Sequence, residues 1–324
     1  MPKKWLFLTV ALIILFIAGY ELRPKLEIVS DKITQEAPKL GPGAHLLLPN
    51  LQNAKVVAPD RPHDPAELQN PTTRAAIKRL RQFSVSTNSL GFRSPEVLNP
   101  KKGVRILCLG DSVTFGWGVS EEESYPALLH KSLGVEVINA GVPAMKPRHI
   151  AQWSQQLSFL SPDIVLFARR PDWSSPDAMQ SYQNAVQTIK RNFPQAKFGI
   201  ILPPISSFDP RGLSQAPTER KEITKRLSGI PFLDLTPIFH DNMPPKGFRL
   251  QQNDQQQQMI RREDGSVFAE GSAHQGLADE IIRAFEENST IQEPLFFDGG
   301  HPDAEGFVLF SAQVEEWMHL QGWI

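Results

Sequence analysis

From Val104 onward the sequence repeats one pattern: a short apolar, β-branched run, a turn, then a longer run with helical periodicity. Parallel strands need long crossovers, and crossover helices cover both sheet faces, so this alternation marks parallel βαβ units. Strands are expected at Val104–Leu109, Val135–Asn139, Ile164–Ala168, Phe198–Leu202 and Pro231–Leu235. Helices are expected at Tyr125–Leu133, Arg148–Leu160, Pro176–Asn192, Thr218–Leu227 and after Asp303. Ser124, or Ser120 with Glu123 three residues on, would cap the first of them. Five such strands predict an α/β fold, a flavodoxin-like three-layer α/β/α sandwich with a five-stranded parallel sheet. Ligands of such sheets sit beyond the carboxyl ends of the strands.

The residues expected at those ends carry chemistry. Ser112, in Leu109-Gly110-Asp111-Ser112-Val113-Thr114-Phe115-Gly116, directly follows the first strand, and a strand feeding a Gly-rich turn can present a nucleophile. Far downstream, Phe297-Asp298-Gly299-Gly300-His301-Pro302 puts a carboxylate and an imidazole on one short loop. These are the partners a serine alcohol needs near neutral pH. Asp-Gly-Gly is also ordinary turn chemistry. The helical pattern after Pro302 would pin the loop, as a well-placed base requires.

These two blocks resemble those of the SGNH (GDSL-type) hydrolase family, in which a Gly-Asp-Ser turn follows the first strand and Asp-x-x-His-Pro comes last. The resemblance runs from Asn88 to the C-terminus and includes Asn88-Ser89-Leu90-Gly91-Phe92-Arg93 ahead of the serine block. It implies a Ser-His-Asp triad of Ser112 as nucleophile, His301 as general base and Asp298 as the group orienting the imidazole. It further implies an oxyanion hole formed by the backbone N–H groups of Ser112 and of Gly141, the glycine in Val137-Ile138-Asn139-Ala140-Gly141. Asp172 matches a residue that holds the third block's loop, and Asp111 is read as a structural partner of the serine turn.

The third block departs from the family. Where Gly-x-Asn-Asp is expected, the chain has Arg169-Arg170-Pro171-Asp172, with Pro171 in place of the asparagine that donates to the oxyanion. Proline has neither N–H nor side-chain donor. Unless Arg169, Arg170 or another group substitutes, the site is slower, specialised or no longer catalytic. Arg148, Arg169 and Arg170 fall near the strand mouths, where they would bind an anionic substrate or pair with acids. Trp117 and Trp173 follow the first and third strands and would stack on sugar faces or pack in the core.

The balance of 34 basic and 35 acidic residues gives no signal for nucleic acid. His130, His149, His240 and His274 show no metal-ligand spacing, and the single cysteine, Cys108, excludes thiolate sites, so neither metal nor cofactor is expected. Residues 1–22 read as a signal anchor: Lys3 and Lys4 precede an uncharged apolar run from Trp5 to Tyr20 with no clear cleavage site. The remainder would face the periplasm as a single-pass inner-membrane protein, or be secreted if the segment is cleaved. Residues 23–82 are proline-rich and read as a stalk or wrapping arm, with ordered structure beginning at Phe83. Residues 83–324 form the hydrolase-like domain, with an insertion at 240–293 read as a polar mobile loop, Gln251–Gln258, plus a helix at Gly276–Glu287, a possible lid.

The expected activity is ester hydrolysis through an acyl-enzyme, on an O-acetyl or short acyl ester of a cell-envelope glycan or lipid. Two alternatives stay open: an acyltransferase of envelope polysaccharide acetylation, and a non-catalytic glycan-binding or assembly protein.

Overall fold

A computed structural model describes residues 33–59, 80–173, 176–206, 210–242, 248–252, 258–262, 267–271, 295–296 and 300–324. The apolar run at 5–20, Asp298, His274 and the helix expected at 276–287 lie outside these residues. Among the described residues no helix is long and apolar enough to cross a membrane.

The core is a five-stranded, all-parallel sheet. Its strands are β5 (Arg105–Gly110), β6 (Glu136–Gly141), β7 (Ile164–Ala168), β8 (Lys197–Leu202) and β9 (Phe232–Asp234), in the spatial order β6-β5-β7-β8-β9. Side chains alternate across a strand, and here both sets are apolar. Leu107, Leu109, Val165, Phe167, Ile200 and Leu202 join one buried cluster. Ile106, Cys108, Ile164, Leu166 and Ile201 join another. The first face is covered by α3 (Pro147–Ser154) and α4 (Ala178–Asn192), through Ile150, Tyr182, Val186 and Ile189. The second is covered by α2 (Tyr125–Leu133), α6 (Leu235–Asn242) and α7 (Ala304–Leu320), through Leu129, Phe239, Phe307, Phe310 and Val314. Continuous apolar strands buried on both faces therefore make a three-layer sandwich.

Four local features differ from the sequence reading. Ser120 and Glu123 do form a capping box, but around a 3₁₀ turn at Glu121–Glu123 that precedes α2. Ser124 holds the N-cap position of α2 without a side-chain cap bond. Helix α5 (Pro210–Arg226) starts well before Thr218 and contains Pro217, whose missing N–H mimics a helix start. The polar run Gln251–Gln258 is partly strand: β10 (Phe248–Gln252), β11 (Gln258–Arg262) and β12 (Val267–Gly271) pair antiparallel, since ladder bonds are made by backbone whatever the side chains.

Order also begins before Phe83. Strands β1 (Thr34–Glu36) and β2 (His45–Leu47) pair with each other, and β3 (Ala54–Pro59) pairs with β4 (Leu80–Val85). Ile33, Leu40, Ala44, Leu47 and Val56 are buried in the same cluster as Phe92, Ile150 and Trp153. Their irregular spacing has no helical or strand period, which hid them among the prolines.

Candidate active site

Ser112 is the first residue of a four-residue helix, α1 (Ser112–Phe115), immediately beyond β5. The Asp111 side chain caps that turn by accepting from the Val113 N–H at 3.1 Å. Gly116, at φ 84°, ends it and donates to the Ser112 carbonyl at 3.1 Å. Close packing fixes the position of α1. A Cβ on Gly141 would stand 2.1 Å from the Phe115 nitrogen, and one on Gly110 would stand 2.0 Å from Thr114 Oγ1.

Arg93 secures the far end of this turn. Its side chain is buried, and its guanidinium donates to the carbonyls of Phe115 (2.8 Å), Gly116 (2.7 Å), Val119 (2.8 Å) and Ser84 (3.1 Å). Burial lowers its pKa to about 10, against the opposing pull of Glu121, Glu122 and Glu123. The Asn88–Arg93 turn, tied by Asn88 Oδ1 to the N–H groups of Leu90 and Phe92, brings this arginine into place. A cavity of about 830 Å³ beside Arg93, bordered by Phe83 and Glu121–Glu123, includes neither Ser112 nor His301 in its lining.

His301 arrives from the other end of the chain. Its Nε2 lies 2.8 Å from Ser112 Oγ across 189 residues of sequence, within reach of the hydroxyl proton. The loop is held by an isolated bridge between Phe296 and Pro302 and by Asp303, which caps α7 through the Gly306 N–H at 2.8 Å. Both Ser112 and His301 are half-buried.

The Gly141 amide, expected at the oxyanion, has an acceptor in the structure. The Gly141 N–H donates to Asn139 Oδ1 at 3.0 Å, so Gly141 serves close packing and its amide is already taken. Further along, Met145 N–H donates to the Val142 carbonyl, with Pro143 second and Ala144 third in the turn. Ala144 has φ 61°, as the third position of a type II turn requires. It is exposed, and its N–H meets no acceptor among the described residues. The Ser112 N–H is likewise without an acceptor there. Sequence reading passed over Ala144 because glycine is the usual marker of such a conformation, although the preceding Pro143 signalled it.

Two of the five candidate substrate-binding residues are occupied elsewhere. Arg170 donates to Pro203 O, Glu219, Asp234 and Thr236 and cannot present its charge to a ligand without breaking these bonds. Trp173 donates its indole N–H to Glu219 Oε2 at 2.9 Å. Pro171, buried between them, offers no donor. Two more border the serine: Trp117 lies 6.4 Å from the His301 ring and 5.4 Å from Phe83, and Arg169 forms an ion pair with Asp111 at 3.0 Å. Arg148 is exposed, with Nε 3.2 Å from His149 Nε2, and Asp172 pairs with Lys146 at 3.2 Å. Cys108 is fully buried, and burial pushes its thiol up to about 12, so it offers no thiolate.

No protein-family profile and no curated protein sequence matches the chain. Solved structures do. A lipolytic protein of the G-D-S-L family from Desulfitobacterium hafniense is similar at 15% identity and TM-score 0.43, over 66% of this chain and 99% of that one. A family two carbohydrate esterase from Clostridium thermocellum is similar at 14% and 0.42, over 69% and 66%. A salicylyl-acyltransferase from a tetracycline biosynthetic pathway is similar at 12% and 0.41, over 68% and 56%. These likenesses are distant ones in chain path, and the chemistry of this chain is read from the contacts of Ser112 and His301.

Proposed function

We infer that the chain is a serine ester hydrolase of SGNH type, and the 2.8 Å contact between Ser112 Oγ and His301 Nε2 carries this reading. Ser112 Oγ attacks an ester carbonyl while His301 takes its proton. The tetrahedral intermediate then collapses to an acyl-enzyme as His301 returns the proton to the leaving alkoxide, and water repeats the sequence. Asp298 is assigned the orientation of His301. The amides of Ser112 and Ala144 are assigned to the oxyanion, with Ala144 taking the place first given to Gly141.

An O-acyl ester of a glycan is the proposed substrate, with Trp117 as an aromatic wall beside the base. The setting proposed is the cell envelope, from Lys3, Lys4 and the apolar run Trp5–Tyr20. One observation favours a second reading, a glycan-binding protein without turnover: Pro171 leaves the third oxyanion donor missing.

Intact-mass labelling of the full chain with a fluorophosphonate separates the two. One adduct is expected on wild type and none on Ser112→Ala or His301→Ala, with ester hydrolysis in both variants down by more than about 10³-fold. A folded wild type that takes no label is the binding protein. An acetyl adduct discharged faster by sugar hydroxyls than by water would make the enzyme a transferase.

A further inference from the structure

Two consecutive arginines leave β7, and their guanidinium groups have different fates. Arg170 makes four hydrogen bonds, to two carboxylates, a hydroxyl and a carbonyl. Among the described residues the side-chain contacts of Arg169 reach only Nε. Its backbone N–H donates to Ile201 O at 3.1 Å, and its carbonyl accepts from Tyr182 Oη at 2.8 Å. Its Nε donates to Met145 O at 3.3 Å and stands 3.0 Å from Asp111 Oδ2. An arginine carries five N–H donors, and the four on the Nη nitrogens meet no acceptor among the described residues.

The placement of those donors is informative. Asp111 Oδ1 caps the turn that begins with Ser112, while Oδ2 holds Arg169. Met145 closes the turn that carries Ala144. Arg169 therefore bridges the turn that begins with Ser112 and the turn that carries Ala144, whose amides meet no acceptor among the described residues, and its side chain remains 23% exposed.

Resting on the hydrolase reading, we propose that Arg169 is the third oxyanion donor, its Nη groups taking the work that Pro171 cannot do. When Ser112 Oγ bonds to the carbonyl carbon, the π pair moves to the carbonyl oxygen and the hydroxyl proton moves to His301 Nε2. Arg169 meets the new negative charge while keeping its own protons. On collapse the pair returns, the bond to the leaving oxygen breaks, and His301 protonates that oxygen. A fixed cation contributes where charge develops, so its effect falls on kcat.

The test compares full-length wild type, Arg169→Lys and Arg169→Ala on uncharged p-nitrophenyl acetate and in the rate of fluorophosphonate labelling. Lysine keeps a cation on Asp111 but has no second arm. Both variants are expected to lose about 10²–10³-fold in kcat, with KM nearly unchanged and labelling slowed in step. Added guanidinium, but not sodium at equal ionic strength, should restore part of the Arg169→Ala rate. Wild-type kcat in Arg169→Lys would overturn the proposal and leave Arg169 as a structural partner of Asp111. A raised KM with kcat intact would also overturn it, as uniform substrate binding. If Arg169→Ala fails to fold, Arg169→Lys decides. Absence of labelling in wild type itself would remove the hydrolase reading, a failure distinct from any difference between variants.

Discussion

The loops after β5 and after β7 both deliver side chains to the site, yet they are locked by different physics. The serine loop is held mainly by shape and by backbone acceptors: glycines at 110 and 141 admit no Cβ, and the hydrogen bonds of Arg93 go to backbone carbonyls, with the Asp111 cap as a charged contact. The arginine loop is held by charge, with Arg170 between Glu219 and Asp234 and a second cation, Arg220, on Asp234 at 2.7 Å. A shape lock fails when volume is added, and its glycine contacts carry no charge to titrate. A charge lock fails when one partner is removed, and it titrates.

The largest effect is expected from Arg170→Met. The side chains of Glu219 and Asp234 are 2% and 7% exposed, and breaking a buried pair costs about 3–5 kcal/mol because a charge is left uncompensated. Removing the glutamate as well, in Arg170→Met/Glu219→Leu, should recover much of that loss, since buried pairs can often be replaced by apolar groups. Urea unfolding measures both. No recovery in the double variant would mean that the network holds by geometry as well as charge. Arg93 has no such second-site rescue, because its acceptors are main-chain oxygens.

Gly141→Ala probes the shape lock. The added methyl meets a backbone nitrogen at 2.1 Å, so α1 must shift, at about 1–3 kcal/mol of overpacking. Fluorophosphonate labelling should fall with it as Ser112 Oγ moves from His301. Native stability and native labelling together in this variant would show that the glycine is dispensable.

The two locks also differ in how far the sequence revealed them. The sheet was legible because each strand is a short run apolar on both faces, and Ser112 and His301 because their blocks are local in sequence. Arg93 was visible only as the end of the Asn88–Arg93 turn, since its role depends on carbonyls 22–26 residues away. Arg170 was read as ligand-facing because its partners, Glu219 and Asp234, lie 49 and 64 residues downstream. The bond from the Gly141 amide to Asn139 Oδ1 was not legible, because it is a side-chain choice that strand periodicity does not encode.

Acid separates the locks without a mutation. Burial pushes the Glu219 carboxyl up despite Arg170, so its ionised form costs stability above the ordinary value of 4.5, and that cost disappears as the pH falls toward it. Burial also works to raise Asp234, but Arg170 and Arg220 outweigh it and hold this carboxyl below its ordinary 3.8. The stability it contributes is present above that value and is lost as pH falls through the lowered one. Glu219→Gln should therefore flatten the profile above pH 4.5, and Asp234→Asn the loss below 3.8. An unchanged acid limb in Asp234→Asn would place the acid sensitivity outside the arginine loop.

The smallest effect is expected between the locks, at the turn that Arg169 ties to Asp111. Ala144 holds φ 61°, a region that costs an L-residue about 1–2 kcal/mol. Glycine removes that strain but gives back roughly 0.5–1 kcal/mol through the entropy of its unfolded chain. Ala144→Gly should thus be stabilised by about 0.5–1 kcal/mol while the turn keeps its shape. Because the group assigned to the oxyanion is the amide rather than the methyl, labelling of Ser112 should proceed at the wild-type rate. A variant that gains stability yet labels slowly would show that the strained alanine itself orients the amide, and the turn would join the shape-locked half of the site.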